Sequence, residues 1–186
     1  MTTTAQAWIE LRTEDPEAFS AHAVARARLA AGRRLDETRR LRVVEIAGSA
    51  KNAREIEDLL HASTQFYNPH KERCRLRTTA SDPGLAPPDA CLVLVWERGG
   101  ERRPAAERWW RHETGETVTV REGIVWALRF AAGVDALDAA SELALARDAR
   151  HGLLCNPHAQ ELRMATALPP LEWIGPMAGG PAHGGL

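Results

Sequence analysis

Lysine is nearly missing from this chain. Lys51 and Lys71 are the only two in 186 residues, so arginine carries almost all the positive charge. We read that scarcity as an imprint of GC-rich coding rather than a role for arginine. Cysteine is scarce too. Cys74, Cys91 and Cys155 are isolated and odd in number, which argues against a disulfide framework and suits a reducing cytoplasm. No apolar run approaches the roughly 18–20 residues of a membrane span. The opening "MTTTAQAWIELRTEDPE" has neither the basic region nor the apolar core of a secretory signal. A cytoplasmic protein without a membrane partner is expected. The signatures GxSxG, P-loop and GxGxxG are absent, and with them the usual sequence signals of three enzyme classes. Net charge is −1, which implies no polyanionic partner.

What remains is an ordinary globular composition, 44% apolar and 26% charged, of a length that suits one domain. Residues 7–12, "AWIELR", alternate as a short strand does. "TEDPEAFSAHAVARARLAAG" follows with an acidic, proline-bearing helix start, Phe19, Ala23, Leu29 and Ala30 forming a thin apolar stripe, and a stop at Gly32. Residues 41–48 read as a buried strand. Ser49 is placed to cap a helix whose Ile56, Leu59 and Leu60 share a face, and residues 74–80 alternate as a strand. Residues 81–90, "SDPGLAPPDA", are a loop by composition, and "CLVLVWE" (91–97) is strongly β-prone. Residues 102–116, with Trp109-Trp110, would finish a hairpin or form an insertion.

The pattern then returns. Residues 117–130 read as a long strand, bulged at Gly123. Asp135 is placed to cap a helix burying Leu137, Ala140, Leu143 and Ala144, and residues 161–168 close as a strand. The Pro/Gly-rich tail 169–186 is expected to be extended or disordered.

At an offset of 88 residues, Asn68, Pro69 and His70 fall on Asn156, Pro157 and His158; Arg75 falls on Arg163 and Thr78 on Thr166. A helix precedes each copy and a strand follows. The simplest account is a duplicated β-α-β half, which makes an α+β, ferredoxin-like domain over residues 41–168: an antiparallel sheet with its helices on one face. Residues 1–40 are then an extension and 81–116 an insertion. Proline ends each preceding helix, and asparagine bonds its own turn. The histidines are less fully explained. His70 and His158, with Asn68 and Asn156, are the candidate ligand-binding residues, related by a pseudo-twofold in such a fold. His70 with Cys74, and Cys155 with His158, resemble short metal-ligand pairs, but without CxxC, HxxxH or an acidic cluster beside either pair no metal is expected, and no cofactor. His112 beside Glu113 could serve acid–base work, yet a solvated loop over packed tryptophans is the simpler reading. The strands lack the paired aromatics of RNA-binding sheets, so nucleic acid is not an expected partner.

The stretch "LLCNPHAQ", through Leu153, Leu154, Asn156 and Pro157, resembles the LL-x-NP turn before the last strand of the small, PurS-type subunit of phosphoribosylformylglycinamidine synthase, an enzyme of purine biosynthesis. The likeness covers about 41–80 and 117–168 in topology. It implies a ferredoxin-like fold and a non-catalytic subunit that bridges larger enzyme subunits or assembles with itself, and it carries over no catalytic residue. This chain is about twice that subunit's length and has histidine where the family has an aliphatic residue. The alternative is a small enzyme or a ligand- or metal-binding protein using His70 and His158.

Overall fold

A computed structural model describes residues 3–148 and 151–175. It is an α+β structure with six antiparallel strands and four α-helices. The elements run β1 (Thr3–Leu11), α1 (Pro16–Arg28), β2 (Leu35–Ser49), α2 (Ala53–Ala62), β3 (Glu72–Arg77), β4 (Cys91–Glu97), α3 (Pro104–Thr114), β5 (Thr119–Phe130), α4 (Ala136–Ala144) and β6 (Gln160–Ala165). A 3-10 turn, Ala31–Arg34, joins α1 to β2.

The sheet order is β3-β1-β2-β5-β4-β6. This order reads the same from either edge once the two halves are exchanged. The repeated unit is therefore longer than the sequence suggests: β1-α1-β2-α2-β3 is matched by β4-α3-β5-α4-β6. Residues 1–40 and 81–116, expected as extension and insertion, supply β1 and β4, each an interior strand between two others. The reason is geometric. β2 and β3 are joined through a helix and run parallel, and β1 fills the gap between them with antiparallel partners on both sides. β4 does the same between β5 and β6. The halves lie side by side across the β2–β5 seam, which pairs from Leu35↔Phe130 to Ala47↔Thr119.

Residue alternation assigns the faces. Cys91, Val93, Val95, Trp126 and Leu128 meet α1 and α4, while Ala5, Ala7, Ile9, Val44, Ile46 and Val120 meet α2 and α3. All four helices thus lie on one face. The other face carries Trp8, Leu41, Val43, Leu92, Leu94, Trp96, Val125 and Ala127, and is covered by chain segments without helix: Leu85 and Ala86 from the loop, Trp173 and Ile174 from the tail.

Local chemistry explains the helix boundaries. Asp15 caps α1, with Pro16 at its first turn, and Asp135 caps α4 by accepting from Leu137 N and Asp138 N. The cap of α2 is Asn52, in a reciprocal box with Glu55, and not Ser49; Ser49 ends β2 and donates from Oγ to Glu116 at 2.8 Å. Residues 102–116 are neither hairpin nor loop but contain α3, which starts at Pro104, 88 residues after Pro16. Two apolar residues face the opposite way from the expected one. Phe19 is 62% and Leu137 45% exposed, because α1 and α4 turn alanines (Ala18 and Ala25; Ala139, Ala140 and Ala144) toward the sheet and so approach it closely.

Gly123 does not mark a bulge, since the β2–β5 register runs through it unbroken. A Cβ there would lie 2.7 Å from Leu94 Cδ1 and 3.6 Å from Ile174 Cδ1, so the missing side chain makes room for the tail. The tail itself divides. Residues 169–175 lie packed on the sheet, with Trp173 and Ile174 buried, and residues 176–186 fall outside the described residues.

Candidate functional site

The two Asn-Pro-His turns match bond for bond. Asn68 Oδ1 accepts from His70 N at 3.0 Å, and Asn156 Oδ1 accepts from His158 N at 3.0 Å. Asn68 O accepts from Lys71 N and Glu72 N; Asn156 O accepts from Ala159 N and Gln160 N. Each asparagine N donates to the side chain four residues on, Glu72 Oε2 at 2.7 Å and Gln160 Oε1 at 2.9 Å. Even the proline carbonyls are treated alike, Pro69 O receiving Arg12 Nε at 3.1 Å and Pro157 O receiving Arg98 Nη2 at 3.2 Å. Asparagine and proline are thereby accounted for as turn builders.

The histidine rings are exposed at the turn tips. Each turn leads into an edge strand, and β3 and β6 are the opposite edges of a six-stranded sheet. Five strand spacings of about 4.8 Å separate them, roughly 24 Å. The two edge strands also run in opposite directions, which puts the turns at diagonal corners. His70 and His158, the candidate ligand-binding histidines, are not brought together. Among the described residues, no group of three or more His, Cys, Asp or Glu could hold a metal ion.

Burial suppresses thiol chemistry. It pushes Cys74 up to about 12 and Cys91 up to about 11, and raises Cys155 as well, so all three are protonated at neutral pH. The tryptophan pair is structural. Trp110 is fully buried, edge-on to Phe66, and its Nε1 donates to Glu116, which also receives Ser49 Oγ and Ala50 N. His112 touches Glu113 at 3.0 Å in the open, on the exposed side of α3.

On the helix-bearing face the two helix pairs leave a charged furrow along the seam. Arg40 pairs with Asp15 at 3.4 Å and Glu17 at 3.0 Å and lies over the Trp126 ring at 5.9 Å. Arg42 bridges Glu72 and Glu122, and Glu122 also pairs with Arg103. Two clefts open beside Arg40. One of about 430 Å³ is bounded by Phe19, His22 and Glu10, and another of about 450 Å³ by Trp126, Arg103 and Gln160. Every guanidinium named here already faces a carboxylate, so the furrow ties the halves together and leaves none of these cations unpaired for a ligand.

The helix-free face holds the residues that reading the sequence misses. Gln6, Glu45 and Arg77 are buried, on β1, β2 and β3. Glu45 Oε1 accepts from Gln6 Nε2 (2.8 Å), Trp173 N (2.6 Å) and Ile174 N (3.0 Å). Burial pushes the Glu45 carboxyl up to about 7, against the opposing pull of those three donors and of Arg121. Arg77 donates to Gln6 Oε1 at 2.7 Å, Ala80 O at 3.0 Å and Pro169 O at 2.9 Å; burial lowers its pKa. The signal available in the sequence was a lone glutamate inside "VVEIA" and a lone glutamine inside "AQAWI", each a polar residue where an apolar strand needs a partner for it.

Among the described residues, no helix is long and apolar enough to cross a membrane. No family model, curated protein or solved structure matches this chain.

Proposed function

We propose that this protein is a non-catalytic assembly subunit, cytoplasmic and of the kind that the PurS-like turn suggests, working by association with itself or with a larger enzyme subunit. Its ferredoxin-like character lies in the two split β-α-β crossovers, β2-α2-β3 and β5-α4-β6. The supporting observation is the state of the β6 edge. An open sheet offers unpaired backbone groups at its outer strands, and proteins guard such edges with outward charge. The β3 edge is guarded by Arg73 and Arg75, whose side chains are 56% and 53% exposed. On β6 one of the two guards is withdrawn: Arg163 lies over Trp96 at 5.2 Å and donates to Trp173 O, which leaves Glu161 as the outward charge of that strand. Leu162 and Met164 are left half-buried beside that open edge.

The test is mass in solution. Light scattering behind size exclusion at tens of micromolar is expected to give more than the 20.4 kDa monomer, or affinity capture to recover a larger enzyme subunit. Leu162→Lys, which restores charge to the edge, is expected to abolish either association while leaving the circular dichroism spectrum unchanged. A monomer at every concentration with no captured enzyme subunit overturns the reading.

A further inference from the structure

Residues 169–175 do not join the sheet as a strand. Their backbone is held by side chains. Pro169 O receives Arg77 Nη2 at 2.9 Å, and Pro170 O and Leu171 O both receive Gln6 Nε2 at 3.0 Å. Trp173 N and Ile174 N donate to Glu45 Oε1. Trp173 O and Gly175 O receive the two terminal nitrogens of Arg163. Thr4 Oγ1 donates to Glu172 Oε1 at 2.9 Å. Four side chains from four strands thus address the backbone from 169 to 175. The set is fixed in advance: Gln6 Oε1 is itself held by Arg77 Nη1 and by Trp8 Nε1, at 2.7 and 3.1 Å.

The anchors are equally specific. Trp173 and Ile174 are 4% and 3% exposed, the latter above Gly123, in a cluster with Trp8, Trp96 and Leu94. Directed polar contacts to a peptide backbone, together with pockets for two apolar side chains, are how proteins recognise peptides. The link to the rest of the chain is slight by comparison. Thr166, Ala167 and Leu168 are exposed and lie outside any strand, immediately after edge strand β6. Every contact above would be satisfied equally by the same segment arriving from another molecule, the condition for exchange of an element between copies.

We infer that the helix-free face is a peptide-recognition groove for a Pro-Pro-x-x-Trp-Ile segment, filled in cis by residues 169–175 and able to take that segment from a second copy of the chain. It does not depend on the β6 edge, and the experiment is run in the Leu162→Lys background so that edge association is absent.

A protease site is inserted between Ala167 and Leu168 of the full chain, and the folded protein is cleaved. The strap is expected to stay bound through size exclusion. A fluorescent peptide of residues 169–175 should then exchange into the nicked protein, and one carrying Trp173→Ala should bind at least ~30-fold more weakly, as a buried tryptophan anchor requires. A folded body that sheds its strap and takes up no labelled peptide overturns the inference. Should cleavage unfold the protein, uncleaved copies with and without heavy-isotope labelling are mixed at high concentration and examined by native mass spectrometry. Mixed dimers that disappear on Trp173→Ala support strap exchange, and monomers alone overturn it.

Discussion

Glu45 gives the sharpest quantitative expectation. The residue is 1% exposed, with one oxygen holding three N–H donors and the other, Oε2, buried without a hydrogen-bond partner among the described residues. Two effects compete. The donors and Arg121 favour the charged form; loss of water favours the neutral one and is the larger, so the group titrates near 7 instead of 4.5. A folded-state value above the unfolded one means that the native protein binds the proton more tightly. The associated stability is fully present below pH 4.5 and is lost as pH rises through about 7. Its size follows from the interval between 4.5 and 7, about 3 kcal/mol at ~1.4 kcal/mol for each tenfold change in proton affinity. Urea unfolding of the protein and of Glu45→Gln, followed from pH 5 to 8.5, isolates the term, because the amide keeps an oxygen for the three donors and does not ionise. The two proteins should be nearly equal at pH 5. By pH 8.5 the glutamine variant should be the more stable by up to about 3 kcal/mol. If the wild type instead gains on the variant as pH rises, the three donors outweigh burial and the reasoning fails.

The remaining expectations concern turns and thiols. Gly152 has φ +78°, and a Cβ there would stand 1.7 Å from Leu145 O, whereas Gly133, at φ +81°, has open space around it. Gly152→Ala should therefore cost several kcal/mol in urea unfolding and Gly133→Ala only about 1; equal costs would mean that the loop yields freely. Asn68→Ala and Asn156→Ala should each lose about 1 kcal/mol, additively because the corners are far apart, while His70→Ala and His158→Ala stay within about 0.5 kcal/mol. A large loss from either histidine would show that its ring is structural after all. At pH 8 a thiol such as Cys91, at about 11, is thiolate in only about one molecule in a thousand. A disulfide reagent should thus leave the native protein unlabelled and react with all three cysteines in urea; fast native labelling would contradict the burial described.

Much of the fold was legible because the signals were local. Asp135 and Pro16 announce helix starts and alternation marks the strands, whereas the helices end at Ala62 and Ala144, well before the Asn-Pro turns expected to stop them. What escaped depends on contacts between distant residues. In α3, Trp110 and Ala106 are buried, one turn apart, but the neighbouring Trp109 blurs that face in sequence, and only Pro104 at the offset of Pro16 betrays the helix. With α3 as the counterpart of α1, the matched halves are β-α-β-α-β and include β1 and β4, which the sequence alone presents as additions to β-α-β units. A motif seen twice looks like a site, and here Asn and Pro repeat because they build the same turn, while the histidines at its tip face solvent. The residues that single out one surface are those without a matching copy: Gln6, Glu45 and Arg77 are buried on one half, and at the offset that aligns β3 with β6, Ala165 stands in the place of Arg77. A symmetric sheet has no reason to bury a glutamate on one side unless something asymmetric lies over it, and the strap is that something.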